Sequence, residues 1–141
     1  MESWRKVWRV GFSPLVSTPG LAALQAALVD DDPRLLQRAT TSPPPLMCVQ
    51  DWPVEAACAV TLTGWLGDGL NLVGEAEEYF ARMCFECDKM VGEPAGCRWF
   101  LNWWDETPRD QARRLLLEEV EAELTRRVAA QAAQDGEPAG V

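Results

Sequence analysis

The amino-acid sequence predicts an all-α protein, a single-domain bundle of five or six helices. Apolar residues recur three and four positions apart along much of the chain, which is the spacing of one helix face. Prolines follow capping residues at several points, and that pairing marks helix starts. A parallel sheet would require strand and helix patterns that alternate along the chain, and the sequence shows no such alternation. The helical domain is expected to span residues 1–130, with a disordered tail over residues 131–141, which offer almost nothing to bury.

The N-terminal part of the chain is expected to begin with three helices. Residues 2–10 show a short amphipathic pattern, and Gly11 is expected to end that helix. A second helix is predicted over about 19–29. A third, short helix is predicted over about 33–39, with Asp32 as its N-terminal cap.

A proline-rich loop and an ambiguous segment come next. Residues 40–50 are predicted to be a loop, because the consecutive prolines 43–45 favour an extended conformation. A helix is predicted over about 52–65. Residues 59–63 also fit a buried strand, and the sequence leaves that alternative open. The glycine-rich residues 64–69 are expected to form a turn.

The C-terminal half has the clearest helical patterns. A helix over about 72–91 carries an apolar stripe opposite a charged face, and a helix over about 94–105 is apolar nearly all round. The last helix is predicted to run from residue 108 to about residue 130. Glu123 is expected to pair with Arg127 four positions on. The expected buried stripe of this last helix is Leu117, Val120, Leu124 and Val128.

Charge and composition exclude several classes of function. The net charge of −9 repels a nucleic-acid backbone, so we expect no nucleic-acid binding. The chain has no histidine, which removes Ser-His and Cys-His nucleophile pairs and histidine metal sites. No apolar run approaches the roughly 20 residues of a membrane-spanning helix, so no membrane association is expected. The charged N-terminus does not read as a signal sequence, and a cytoplasmic location is expected.

Cys84 and Cys87 have the spacing of half a structural zinc site, which takes four ligands. Cys48, Cys58 and Cys97 would have to complete such a site from scattered positions. Cys84 and Cys87 both lie on the apolar stripe of their helix, where free cysteines pack as small hydrophobic residues. We therefore expect structural thiols, with no metal and no cofactor.

Tryptophan is in excess, with seven in the chain. The 94–105 helix is either the hub of the bundle or has Trp99 and Trp103 lining a groove. Arg98, Trp99 and Trp103 are expected to be the anchors of any binding surface on this helix, because tryptophan and arginine are the residues most enriched in binding hot spots. Trp52 or the proline-rich loop is expected to form a wall of that groove.

These patterns favour a non-catalytic interaction or accessory protein that binds a protein partner through the aromatic-rich helix. The alternative is a small enzyme or small-molecule binder with a tryptophan-lined pocket. In that alternative Arg98 holds an anionic group, and Asp105 or Glu106 acts as the base. A flat exposed aromatic patch would favour the partner, and a concave pocket would favour the ligand.

Overall fold

The computed structural model describes residues 1–42 and 51–136. Within these ranges the chain forms six α-helices and one small parallel sheet of two strands. The mostly helical architecture predicted from the sequence is therefore confirmed. No helix in these ranges is both long enough and apolar enough to cross a membrane. Most of the predicted proline-rich loop, residues 43–50, lies outside the described residues.

The N-terminal segment is continuously helical but changes its winding. Helix α1 spans Ser3–Lys6, continues as a π-helix over Val7–Phe12 and ends as a 3-10 turn over Ser13–Leu15. Gly11 does not end this helix, so that prediction is wrong. A Cβ atom at Gly11 would overlap the Sγ atom of Cys87. The glycine therefore allows the N-terminal segment to pack closely against the helix that carries Cys87.

Helix α2 spans Thr18–Asp30, as predicted, and a serine side chain caps its start. The Oγ atom of Ser17 accepts a hydrogen bond from the backbone N–H of Gly20 at 3.0 Å. Asp31 ends the helix in the left-handed conformation, with φ at 49°. The three leucines on its core-facing side, Leu21, Leu24 and Leu28, are all buried.

The helix predicted over residues 33–39 is wrong. Leu35–Leu36 form strand β1, which pairs in parallel with strand β2, Ala57–Cys58. Asp32 caps a turn instead of a helix, because its Oδ1 atom accepts the backbone N–H of Arg34 at 2.9 Å. Pairing with β2 buries the first leucine completely, and this tertiary gain overrides the local helix signal.

The helix predicted over residues 52–65 starts later than expected. Helix α3 spans Ala59–Leu62 and continues as a π-helix over Thr63–Gly67. Residues 59–63, for which the sequence left helix and strand open, are thus helical. The residues just before them are taken by strand β2.

The glycines predicted to form a turn over residues 64–69 serve mainly for close packing. A Cβ atom at Gly67 would overlap the backbone of Gly20 in α2, so the two segments meet at a pair of glycines. The chain turns only after this contact, at Gly69, where φ is 81°. The predicted turn is therefore shorter than expected.

Helices α4 and α5 form an adjacent pair. Helix α4 spans Val73–Val91, as predicted, and ends at Gly92, whose φ is 80°. Helix α5 spans Cys97–Glu106 and begins three residues later than expected. Its start is held by Asp88, whose Oδ1 atom accepts the backbone N–H of Cys97 at 2.8 Å.

Helix α6 spans Arg109–Asp135 and is longer than predicted. It includes residues 131–135, which were expected to belong to a disordered tail, so that boundary is wrong. Val128 is 69% exposed and does not belong to the buried stripe, because this end of α6 extends past the body of the domain. Residues 137–141 lie outside the described residues. The buried apolar positions of α6 are Ala112, Leu116 and Val120.

Arginines on α6 fasten it to neighbouring backbone carbonyls. Arg113 Nη2 donates to the carbonyl oxygen of Leu28 at 2.9 Å, near the C-terminal end of α2. Arg127 Nη2 donates to the carbonyl oxygen of Ser13 at 2.9 Å. The predicted pair between Glu123 and Arg127 is confirmed, with Nε and Oε2 3.5 Å apart.

Aromatic side chains occupy the centre of the core. Trp8 packs against Phe12 and Phe100, with ring centroids 6.4 and 5.2 Å away. Trp104 is 1% exposed, and its Nε1 atom donates to the carbonyl oxygen of Leu36 at 2.8 Å. The N-terminal segment and α5 are thus joined by an aromatic cluster of high apolar area.

Candidate functional site

Helix α5 presents one face to the core and one face to solvent. Cys97, Phe100 and Trp104 are buried, while Leu101 and Trp103 are half-buried. We call the opposite side the outer face of α5. Its exposed members are Arg98, Trp99, Asn102 and Glu106. The helix is therefore not a hub surrounded on all sides, because only one of its sides packs on the domain.

Trp103 and Trp99 have different surroundings, although the sequence paired them. The Trp103 ring stacks on the ring of Trp4, with centroids 3.6 Å apart and planes 5° apart. The ring centroid of Trp103 also lies 5.9 Å from the ring centroid of Phe100. Trp103 is therefore part of the contact between α1 and α5, and most of what it contributes is packing.

Trp99 is the large exposed residue of α5. Its side chain is 45% exposed, and it stacks on no other aromatic ring in residues 1–42 and 51–136. Arg98 beside it makes no ion pair within those ranges. The Trp99 indole and the Arg98 guanidinium thus both project from the outer face of α5, and neither stacks on an aromatic ring or forms an ion pair in the described part of the chain.

Trp52 does not join this surface. Its carbonyl oxygen accepts the backbone N–H of Val73 at 2.8 Å, which places it at the N-terminal end of α4. The start of α5 is fixed to Asp88, near the other end of the same helix. Since α4 has 19 residues, its two ends are about 28 Å apart at 1.5 Å per residue. The expected wall of the groove is therefore distant from Trp99.

Asp105 lies beside a small cavity and not on the outer face. Its Oδ1 atom accepts the backbone N–H of Arg38 at 2.7 Å. The cavity measures about 170 Å³. Its lining includes Asp105, Arg38, Trp104, Leu101, Phe80 and Cys58. The cavity therefore contains a tryptophan and a carboxylate, as the pocket alternative from the sequence expected. Its arginine is Arg38, because Arg98 lies on the outer face of α5.

The cysteines lie in apolar surroundings. Cys87 and Cys97 are buried and Cys84 is half-buried, which agrees with the packing interpretation. Burial raises the pKa of the Cys87 thiol to about 12 and that of Cys97 to about 11, so both thiols are protonated near neutral pH. No group of three cysteine, aspartate or glutamate side chains converges as metal ligands in the described ranges. Cys48 lies outside them.

Glu119 forms a buried ionic contact that sequence reasoning missed. Its Oε2 atom accepts hydrogen bonds from Arg5 Nη1 at 2.8 Å and from Arg9 Nη2 at 3.0 Å. The hydrogen bonds from Arg9 and Arg5 hold the pKa of this carboxyl group below its usual value. A signal was present, because Glu119 lies seven residues after the buried Ala112, on the same helix face. The contact ties the N-terminal helical segment to α6 through Arg5 and Arg9.

Comparisons with protein-family models, with curated proteins and with solved structures gave no match to this chain. The described residues form a small helical protein with exposed aromatic side chains at Phe85 and Trp99.

Proposed function

We propose that this chain is a non-catalytic interaction protein that binds a protein partner through the outer face of α5. Trp99 is the apolar anchor, and Arg98 is the charged anchor. The observation that carries the proposal is the 45% exposure of Trp99 on a helix whose other aromatic residues pack against the domain. Tryptophan is among the residues most enriched in binding hot spots, and an exposed indole offers a partner a large apolar area to bury.

The chemistry of this surface limits the kind of partner. Arg98 makes no ion pair in the described part of the chain, so a partner carboxylate can bind it without breaking an internal contact. An apolar pocket beside that carboxylate would accept the Trp99 ring. Such a partner would bind the tryptophan and the arginine, which are residue types that dominate hot spots. Truncation of a hot-spot residue typically costs about 2 kcal/mol or more of binding free energy.

A non-catalytic role is supported by what the internal polar groups do. The buried hydroxyl groups of Thr63 and Tyr79 bond to each other at 2.7 Å. Glu119 is occupied by Arg5 and Arg9. These contacts join elements of the fold, and each group already has its partner. Thr63, Tyr79 and Glu119 therefore stabilise the fold, which supports a functional role for residues on the surface.

Site-specific photo-crosslinking tests the proposal. A photoreactive phenylalanine analogue replaces Trp99 in one protein and Arg114, an exposed residue of α6, in a control. Irradiation in an extract of the native cells is expected to give a discrete protein adduct from position 99 and none from position 114. The adduct should disappear when Arg98→Glu is added. Equal labelling from both positions would refute a specific surface on α5.

Small-molecule binding is a second candidate function. The observation that favours it is the cavity beside Asp105, which combines apolar walls with a carboxylate and an arginine. This arrangement is the one expected of a ligand site, although it is smaller than the roughly 300–1,000 Å³ of sites for drug-sized ligands.

A further inference from the structure

The cavity beside Asp105 has an apolar floor formed by two helices and one strand. Phe80 of α4, Leu101 and Trp104 of α5, and Cys58 of β2 line it. At about 170 Å³ it slightly exceeds the roughly 150 Å³ that accommodates a benzene ring in a dry protein cavity. Its ligand is therefore small, with a single ring or a short branched chain as its apolar part.

The walls of the cavity are fixed by hydrogen bonds of the folded chain. Trp104 Nε1 donates to the carbonyl oxygen of Leu36 at 2.8 Å. Gln37 Nε2 donates to the carbonyl oxygens of Trp104 at 2.6 Å and of Thr107 at 2.8 Å. These bonds hold the indole and the end of α5 against the segment that leads to Arg38. A wall positioned in advance lowers the entropy lost when a ligand binds.

Two opposite charges lie at this cavity without neutralising each other. Asp105 accepts the backbone N–H of Arg38, but no ion pair forms between its carboxylate and the Arg38 guanidinium. Neither side chain makes an ion pair with any other described residue. Arg38 is also held at φ 68°, an uncommon conformation for a residue with a side chain, and such strain is often found at ligand-binding positions.

We propose that this cavity binds a small zwitterion, an α-amino acid with an apolar side chain. The ligand ammonium group binds the Asp105 carboxylate, and the ligand carboxylate binds the Arg38 guanidinium. The ligand side chain packs among Phe80, Leu101 and Trp104. This proposal deepens the second candidate function and is independent of the outer face of α5.

Calorimetric titration of the full chain with L-leucine and L-phenylalanine tests the proposal. We expect saturable one-to-one binding of at least one of them. The corresponding N-acetyl amino acid and the methyl ester should each bind at least tenfold more weakly, because each lacks one of the two charges. Asp105→Asn should weaken binding at least tenfold while it still accepts the Arg38 N–H. Arg38→Gln should weaken binding to a similar extent.

Matched controls separate loss of the site from loss of the fold. Glu106→Gln changes the neighbouring exposed carboxylate and should leave binding unchanged. Every variant should show the same cooperative thermal unfolding as the wild type. The proposal is overturned if neither amino acid binds the folded protein at millimolar concentration, or if the blocked derivatives bind as well as the free amino acids. Trp99→Ala should not alter this binding, so failure of the cavity and failure of the α5 surface are distinguishable.

Discussion

The indole rings of Trp4 and Trp103 are parallel within 5°, with their centroids 3.6 Å apart. This stack joins the first helical turn of the chain to the second turn of α5. Trp4 is only 4% exposed as a result, and the guanidinium of Arg5 lies 4.5 Å from its ring centroid. Trp103 is thereby used for folding, while Trp99, one turn away on the same helix, keeps much of its surface exposed.

Replacing Trp103 with alanine is expected to destabilise the domain by about 2–3 kcal/mol, because a half-buried indole is lost. In a double-mutant cycle with Trp4→Ala, the coupling energy should be about 0.5–1.5 kcal/mol, the usual value of an aromatic pair. Urea unfolding of the four proteins measures it. A coupling energy near zero would show that the stack contributes nothing beyond the area it buries.

Glu119→Gln is expected to lower the unfolding free energy at pH 7 by about 1–3 kcal/mol, because the carboxylate accepts charged hydrogen bonds from Arg5 and Arg9. The pKa of Glu119 is lowered in the folded state. Its contribution is therefore complete above the unfolded pKa of about 4.3 and is lost as pH falls through the lower folded value. Urea titrations from pH 7 to pH 3 should show the difference between wild type and variant shrinking below about pH 4.3. A difference that does not change with pH, or an equal effect of Glu118→Gln, would contradict this account.

Gly11→Ala is expected to destabilise the domain by about 1–3 kcal/mol, because the new methyl group overlaps the thiol of Cys87 and approaches Val91. The cost should be smaller in a Cys87→Ala background, where the sulfur is absent. Thermal unfolding of the two single variants and the double variant measures the difference. An equal cost in both backgrounds would place the strain elsewhere.

Removal of residues 131–141 is expected to change the unfolding free energy by no more than about 0.5 kcal/mol, because the described side chains from 129 to 136 are exposed. A deeper truncation after residue 126 also removes Arg127 and its bond to the Ser13 carbonyl, and it should be clearly destabilising. Denaturant unfolding compares both with the full chain. A large loss from the shorter truncation would show that the end of α6 contributes to the fold.

The sequence was informative where local pattern and burial agree. The stripe of α4 and the proline at the start of α2 are signals from residues close in the chain, and both helices were predicted within about two residues. The strand Leu35–Leu36 was not predicted, because its partner strand lies more than twenty residues away and local propensity cannot reveal that pairing. Gly11 was likewise misassigned, since only the position of Cys87 shows that the glycine serves close packing.

The sequence identified the residue types of the candidate site, and it did not indicate how they are arranged. Spacing placed Trp99 and Trp103 on one side of a helix, yet the stack with Trp4 separates their roles. The pairing of Asp105 with the backbone of Arg38 links positions 67 residues apart, and nothing local indicates it. Side-chain type singled out α5 as the candidate helix, and tertiary packing decided which of its aromatic residues remain exposed.

Trp99 is proposed to anchor a partner and not to belong to the core. The test is affinity purification from native cell extract with the wild type, Trp99→Ala and Phe85→Ala as baits. The quantity measured is the recovery of the protein that crosslinks at position 99. Phe85 is the matched control, since it is an aromatic residue 62% exposed on α4. We expect both variants to unfold within about 0.5 kcal/mol of the wild type. Trp99→Ala should reduce recovery of the partner at least tenfold, and Phe85→Ala should leave it unchanged. Severe unfolding of Trp99→Ala, or undiminished recovery of the partner by a folded Trp99→Ala protein, would contradict the claim.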